Sequence, residues 1–323
     1  MSLVMSCAFA TSLATPEHVR IAEELGYARA WLYDSPALYP DVWVQLCRAA
    51  DRTRRIGLGP GVLVPSLRHP LVNASAIAML VEAAGPERVA IGIGSGFTGR
   101  RAMGRRPIPW AVVSRHVRVL RALLRGEEIE WEGAPIRMLH RDGFAPARPI
   151  AVPFVIAAAG PKGIAVAREL GDGVFGAPAP VPGFSWSVVL TFGTVLGQGE
   201  GPGGARVIDA AGHAGGVLLH WMLEQGRPDL VPRGVEWAAA YDAVPARSRH
   251  LALHDGHLCT VNPIDRPFVT GELLAATGAA LSPEGWREKL AQLEADGATE
   301  VAYQPAGPAV PRELERFARL MRA

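Results

Sequence analysis

Arg88-Val-Ala-Ile-Gly-Ile-Gly-Ser-Gly-Phe-Thr-Gly99 is the stretch on which the fold turns. Val89, Ala90, Ile91 and Ile93 form a short apolar run of the kind a parallel strand buried on both faces requires, and the run stops in glycines. Gly92, Gly94, Gly96 and Gly99 remove Cβ atoms where the backbone leaves the sheet. That predicts a strand end open to close approach by a ligand. Glycines after a strand also cradle pyrophosphate in dinucleotide folds, but here Pro107 and Pro109 interrupt the downstream segment and the next long helical pattern begins only near Ala111. A barrel strand whose C-terminal loop lines an active site accounts for the same residues better.

Upstream of this stretch, residues 3–10 read as a first strand. Thr15-Pro16-Glu17 then supplies an N-cap, a proline at the first helical position and an acid in the first turn of a helix that ends at Gly26. Strands over 28–33 and 56–64 alternate with helices over 43–53 and 71–83, the pattern of a parallel α/β array. Downstream, 99–110 is an Arg- and Pro-rich loop, 111–125 is helical, and 127–150 is a rim excursion with a small hairpin around Trp131 and Gly133. Residues 153–159 and 172–176 read as the fifth and sixth strands, with a helix over 164–170 between them. The proline-rich residues 177–185 leave the sixth helix shortened or absent before a seventh strand over 188–196. An apolar helix over 205–224 reads as burying one face against another subunit. The excursion over 227–280 is irregular, Ser282-Pro283-Glu284 caps another helix, and 299–304 is the eighth strand before a closing helix over 311–321. The expected architecture is one (β/α)8 TIM barrel over residues 1–323, with insertions and a shortened sixth helix.

At 323 residues, with 49% hydrophobic and 20% charged content, the chain is long enough for one large domain of this kind. The net charge of +2, nearly all from arginine since Lys162 and Lys289 are the only lysines, gives no case for nucleic-acid binding and leaves room for a local anion site. Cys7, Cys47 and Cys259 are isolated, which suits a reducing cytoplasm. The apolar N-terminus lacks the basic region of a signal peptide, and no apolar run is long enough to span a bilayer.

Several stretches together resemble the luciferase-like monooxygenase superfamily. They are Ile56-Gly-Leu-Gly-Pro-Gly-Val62 with Pro65, Arg68 and Pro70, then Ala74-Ser-Ala-Ile-Ala78, Gly92-Ile-Gly-Ser-Gly96, Ala157-Ala-Ala-Gly-Pro161, Gly171-Asp-Gly173, Pro283, Gly297-Ala-Thr-Glu-Val301 and Gly307. Within that superfamily they most resemble the methylenetetrahydromethanopterin reductases, which use the deazaflavin coenzyme F420. The resemblance is weakest over residues 178–278. It implies a hydride carrier, F420 or alternatively FMN, lying across the C-terminal mouth with its ring against Gly61, Val62 and Leu63, where the family has a bulge with a non-prolyl cis peptide. Gly94, Ser95, Gly96, Phe97 and Thr98, and Ala159, Gly160, Pro161, Lys162 and Gly163, would face the ribityl and phosphate portions. Arg100 and Arg101 would either meet a glutamyl tail or remain solvated. A homodimer, a small-molecule substrate and a partner reductase complete the expectation. The departures are Asp34-Ser35 where relatives commonly carry Asp-His, Phe97 where sugar-phosphate dehydrogenases carry an acid, and Ala8 near a glutamate of the methanopterin reductases. They point to a different hydride partner, a small unsaturated or imine-like compound.

Asp34, at the end of a barrel strand, reads as a catalytic carboxylate or as a loop and cap carboxylate. Ser35 either orients ring or substrate or belongs to turn chemistry. His69 takes a structural hydrogen-bonding role, His257 reaches the mouth as a proton donor, and Gln304 contacts the ring. His250, His254, His257 and Cys259 match no standard zinc spacing and enclose the turn signal Asp255-Gly256, so no metal is assigned. Two rival functions stand beside the F420 oxidoreductase: an FMN-dependent two-component monooxygenase and a non-catalytic carrier-binding barrel. The glycine-lined strand tops are expected to leave an opening for a flat ring, and Gly94→Val to abolish carrier binding while sparing the fold.

Overall fold

Short apolar runs that end in glycine or a polar turn build the frame of the computed structural model, which describes residues 3–320. The eight barrel strands are β1 (Val4–Phe9), β2 (Arg29–Leu32), β3 (Gly57–Pro60), β4 (Ile91–Gly94), β5 (Phe154–Ala157), β6 (Gly173–Gly176), β7 (Ser187–Phe192) and β8 (Glu300–Gln304). They pair in parallel in the order β3-β2-β1-β8-β7-β6-β5-β4. Two parallel bridges, Leu58 to Val89 and Leu63 to Ile93, link the outer strands and close the barrel. The expected fold is therefore the observed one.

Around the strands lie α1 (Thr15–Leu25), α2 (Val42–Ala50), α3 (Pro70–Ala84), α4 (Trp110–Arg125), α5 (Pro161–Leu170), α6 (Ala205–Glu224), α7 (Pro283–Ala295) and α8 (Val310–Arg319). Most of them bury an apolar stripe on the outer face of the sheet, in one large core that includes Leu46, Ile77, Leu120 and Phe317. Residues 177–186 join β6 to β7 without a helix, as expected. Residues 129–131 and 134–136 form the hairpin on the rim. At the edge of the 99–110 loop, Phe97–Arg101 forms a short helical turn that the prolines beyond it mask in the sequence. Thr15 does not cap α1: its hydroxyl accepts from the Ser12 N–H at 2.7 Å and Ala14 holds the cap position. Ser282 does cap α7, accepting from the Gly285 N–H at 3.2 Å.

The N-terminal end of the barrel is sealed by side chains. Glu300 accepts from the indole N–H groups of Trp31 (2.9 Å) and Trp186 (2.8 Å), and the Arg29 guanidinium lies 5.3 Å from each of those rings. At the other end, the chain after β7 pairs Thr194–Val195 with Ala280–Leu281, and the excursion between them packs a second core around Trp237, Tyr241, Leu273 and Leu274. This core occupies the apolar face of α6. A Cβ at Gly215 would touch Leu273 and Val269, so the face that the sequence suggested for another subunit is covered by the chain itself. Among the described residues no helix is long and apolar enough to cross a membrane.

Candidate functional site

Three strand ends bring the residues marked for a carrier to one side of the barrel mouth. Gly61, Val62 and Leu63 follow β3, Gly94 to Thr98 close β4, and Ala159 to Gly163 lead from β5 into α5; Leu63 bridges Ile93 and Gly94 pairs with Ala157. The Gly61–Val62 peptide is cis. Phe97, Ala159, Gly160, Pro161 and Lys162 are exposed, while Leu63, Gly94, Gly96 and Gly163 are buried.

The reason for the glycines differs from the one their spacing suggests. A Cβ at Gly94 would meet the Val62 side chain at 3.0 Å and the Ala157 Cβ at 3.2 Å, and one at Gly61 would lie 2.7 Å from the Trp31 Cβ. One at Gly92 would collide with the Pro60 carbonyl. These positions are glycine because protein packs there. Gly160 alone in this group faces open space, at the N-terminus of the ten-residue α5, where free N–H groups and the helix dipole favour an anion. Arg100 and Arg101 are engaged within the chain. Arg100 bonds the Ser66 hydroxyl and the Arg106 carbonyl, and Arg101 pairs with Glu224 while its guanidinium lies 4.7 Å from the Phe97 ring centroid.

Asp34 is tied up in an ion pair. Its side chain has no exposure, and both carboxylate oxygens lie 2.8 Å from one nitrogen of Arg68, whose other nitrogen reaches Asp41, the cap of α2, at 2.7 Å. Burial lifts the Asp34 carboxyl above its ordinary value and Arg68 opposes that rise. The pair links the end of β2 to the turn after β3. Ser35 is buried beside Gly99, its carbonyl accepting from the Leu38 and Tyr39 N–H groups. His69 caps α3 through Nδ1.

His257 lies where the two predicted sets meet, its Nε2 3.4 Å from the Thr98 hydroxyl. Its ring stacks on His220 at 5.6 Å and approaches His254 at 5.2 Å. Burial, then His220 and His254, hold its pKa well below the usual imidazole value, so it is neutral at pH 7. Among the described residues no group of three His, Cys, Asp or Glu is arranged to hold a metal ion.

What the sequence did not reveal is how the mouth is covered. His213, Val217, His220 and Glu224 recur along one face of α6. His213 meets Phe192 at the end of β7, Val217 packs on the barrel interior, His220 stacks on His257, and Glu224 reaches Arg101 beyond β4. The helix therefore lies across the mouth. Beneath it, Leu258 packs into the interior cluster with Trp31, Tyr33, Tyr39, Phe175 and Ala302. The open, glycine-lined top expected from the sequence is thus filled by a segment of the 227–280 excursion. Tyr33, Tyr39 and Gln304 hold that segment, and of these only Gln304 stands out in the sequence. Two surface hollows lie elsewhere, one of about 410 Å³ against Val81, Pro86 and Pro146 and one of about 690 Å³ within residues 126–148.

Comparison with known proteins agrees with this architecture. Residues 12–188 match the family described as luciferase-like monooxygenase. The chain is 33% identical to a 5,10-methylenetetrahydromethanopterin reductase of Archaeoglobus fulgidus over 49% of this chain and 47% of that protein. It is 26% identical to the same reductase of Methanolobus tindarius over 92% and 91%. The chain thus spans about half the length of the first curated relatives it matches. In structure it is similar to a coenzyme F420-dependent tetrahydromethanopterin reductase of Methanopyrus kandleri, with a TM-score of 0.67 at 18% identity over 99% of this chain and 98% of that one. Strand order, closure and the matched residues together place this chain in the luciferase-like monooxygenase family.

Proposed function

We propose that this chain is an F420-dependent oxidoreductase that moves a hydride between the deazaflavin and a small unsaturated or imine-like substrate. The observation that carries the reading is the convergence of Gly61–Leu63, Ser95–Thr98 and the open start of α5 on one side of the mouth, in a chain similar to proteins that are F420 enzymes by name. The residues fit such a carrier at its anionic end. Gly160 leaves room, the helix N-terminus offers N–H donors, and Lys162 supplies a positive charge. Val62 and Gly61 would back the ring. Bound there, the deazaflavin supplies a hydride at C5, and the rest is the work of the chain.

That work is exclusion of water. The α6 helix and the apolar lining around Val217, Leu190 and Phe192 keep solvent from the mouth. His257, which the sequence marked as a proton donor, is neutral and belongs to the segment covering the mouth, so the proton step is not assigned to it. The free thiols of Cys7, Cys47 and Cys259 suit a cytoplasmic setting. Fluorescence titration with F420 and, in parallel, FMN tests the reading. Saturable binding of F420 without binding of FMN supports it. Binding of FMN alone assigns the chain to the flavin-dependent monooxygenases instead.

A further inference from the structure

The polar groups at the mouth are committed to the chain's own backbone. The Tyr39 hydroxyl donates to the His257 carbonyl at 2.6 Å, and Gln304 Nε2 donates to the Leu258 carbonyl at 2.6 Å. Gln304 Oε1 in turn accepts from the Tyr33 hydroxyl at 3.1 Å, which fixes the direction of the amide. All three side chains are buried. Leu258 between the two carbonyls has φ +62°, a left-handed backbone that a leucine adopts only where its surroundings hold it. Among the described residues, few long-range ties hold the segment besides these. The Cys259 carbonyl accepts from the Gly307 N–H, His257 Nε2 lies 3.4 Å from the Thr98 hydroxyl, and the imidazoles of His257, His254 and His220 lean on one another. Two peptide carbonyls, one apolar side chain and two fixed donors describe how a ligand is bound, with the chain as its own ligand.

We propose that His257–Cys259 is a displaceable plug, and that Tyr39 and Gln304 are the donors a ring bearing carbonyl oxygens takes over when the plug leaves. The inference rests on the F420 reading for the identity of that ring. The chemistry it requires is broader: two acceptors, presented on one edge of a planar apolar body, such as the dione edge shared by deazaflavins and flavins. A ligand without such acceptors would leave two buried donors unpaired and be rejected. Because the plug closes the competent state, the apparent dissociation constant is the intrinsic one divided by the fraction open, so loosening the plug tightens binding.

The test uses the full chain and its Leu258→Ala variant, which weakens the apolar anchor and leaves Tyr39 and Gln304 intact. Fluorescence titration with F420 is expected to give at least tenfold tighter binding to the variant. Hydrogen exchange on the parent needs no variant: residues 254–262 are expected to exchange at least tenfold faster when the protein is saturated with F420, with β1 and β8 unchanged. Binding of F420 with equal affinity to both proteins and undiminished protection of 254–262 overturns the plug and leaves the F420 reading standing. The same two effects obtained with FMN in place of F420 support the plug and overturn that reading. Absence of binding by either ring to either protein overturns both.

Discussion

Replacing Arg68 by methionine removes the cation paired with a carboxylate that has no solvent exposure. In the parent, both oxygens of Asp34 lie 2.8 Å from the guanidinium, and the Val64 N–H, at 3.4 Å, adds little. Methionine keeps the stem and its packing but leaves the charge alone, a change that typically costs about 3–5 kcal/mol. With a urea slope of about 3 kcal/mol per molar, the unfolding midpoint falls by about 1–1.7 M at pH 7. The sign of the pH dependence follows from the same geometry. Burial already raises Asp34, and without Arg68 the main opposing charge is gone, so the penalty is full above the folded pKa and is relieved as the pH drops through it. The gap between parent and variant is therefore expected to narrow between pH 7 and pH 5. Adding Asp34→Asn to Arg68→Met should recover most of the loss, because the buried charge is gone. A loss below about 1 kcal/mol, or one that is the same at both pH values, would falsify the claim that this pair fastens the end of β2 to the turn after β3.

Gly94→Val is expected to destabilise the fold by about 1–3 kcal/mol through overpacking against Val62 and Ala157, read as a drop in thermal midpoint; an unchanged midpoint would return the glycine to a ligand role. His213 and His254 are both held by burial down to a pKa of about 4, so the unfolded chain takes up protons near pH 6.5 before the folded one does. Stability should therefore fall as the pH drops from 6.5 toward 4, by about 3 kcal/mol for each imidazole, and His213→Phe should flatten that dependence in urea titrations at pH 7 and 4.5; an equally steep dependence in the variant would mean that other groups carry it. Glu300→Leu leaves the Trp31 and Trp186 N–H groups without their acceptor at the closed end of the barrel and is expected to cost about 2–5 kcal/mol, measured by chemical unfolding; a smaller loss would mean that water reaches those indoles.

The barrel was legible because its strands are buried on both faces and therefore read as apolar runs cut off by glycine or a polar turn, as in Val89–Gly94 and in residues 28–33. Caps were legible where the hydroxyl precedes proline and acid, as at Ser282, yet the same pattern misled at Thr15, whose hydroxyl turns back to Ser12. The glycines of β3 and β4 show that a Cβ is missing but not what would meet it, so close packing passed for ligand access. The cover of the mouth was hidden for a different reason. It rests on the carbonyls of His257 and Leu258, and a backbone contact leaves no mark on residue type. The second core of the 227–280 excursion is divided among short helices with prolines between them, too brief for any period to emerge.

A crystal structure of the protein grown with F420 tests the central claim most directly. The expected result is the phosphate-bearing chain over Gly160–Lys162, the ring against Gly61–Leu63, and Leu258 drawn out of the barrel interior. Carrier seated instead in the hollow within residues 126–148, with Leu258 still among Trp31, Tyr33 and Phe175, would contradict it.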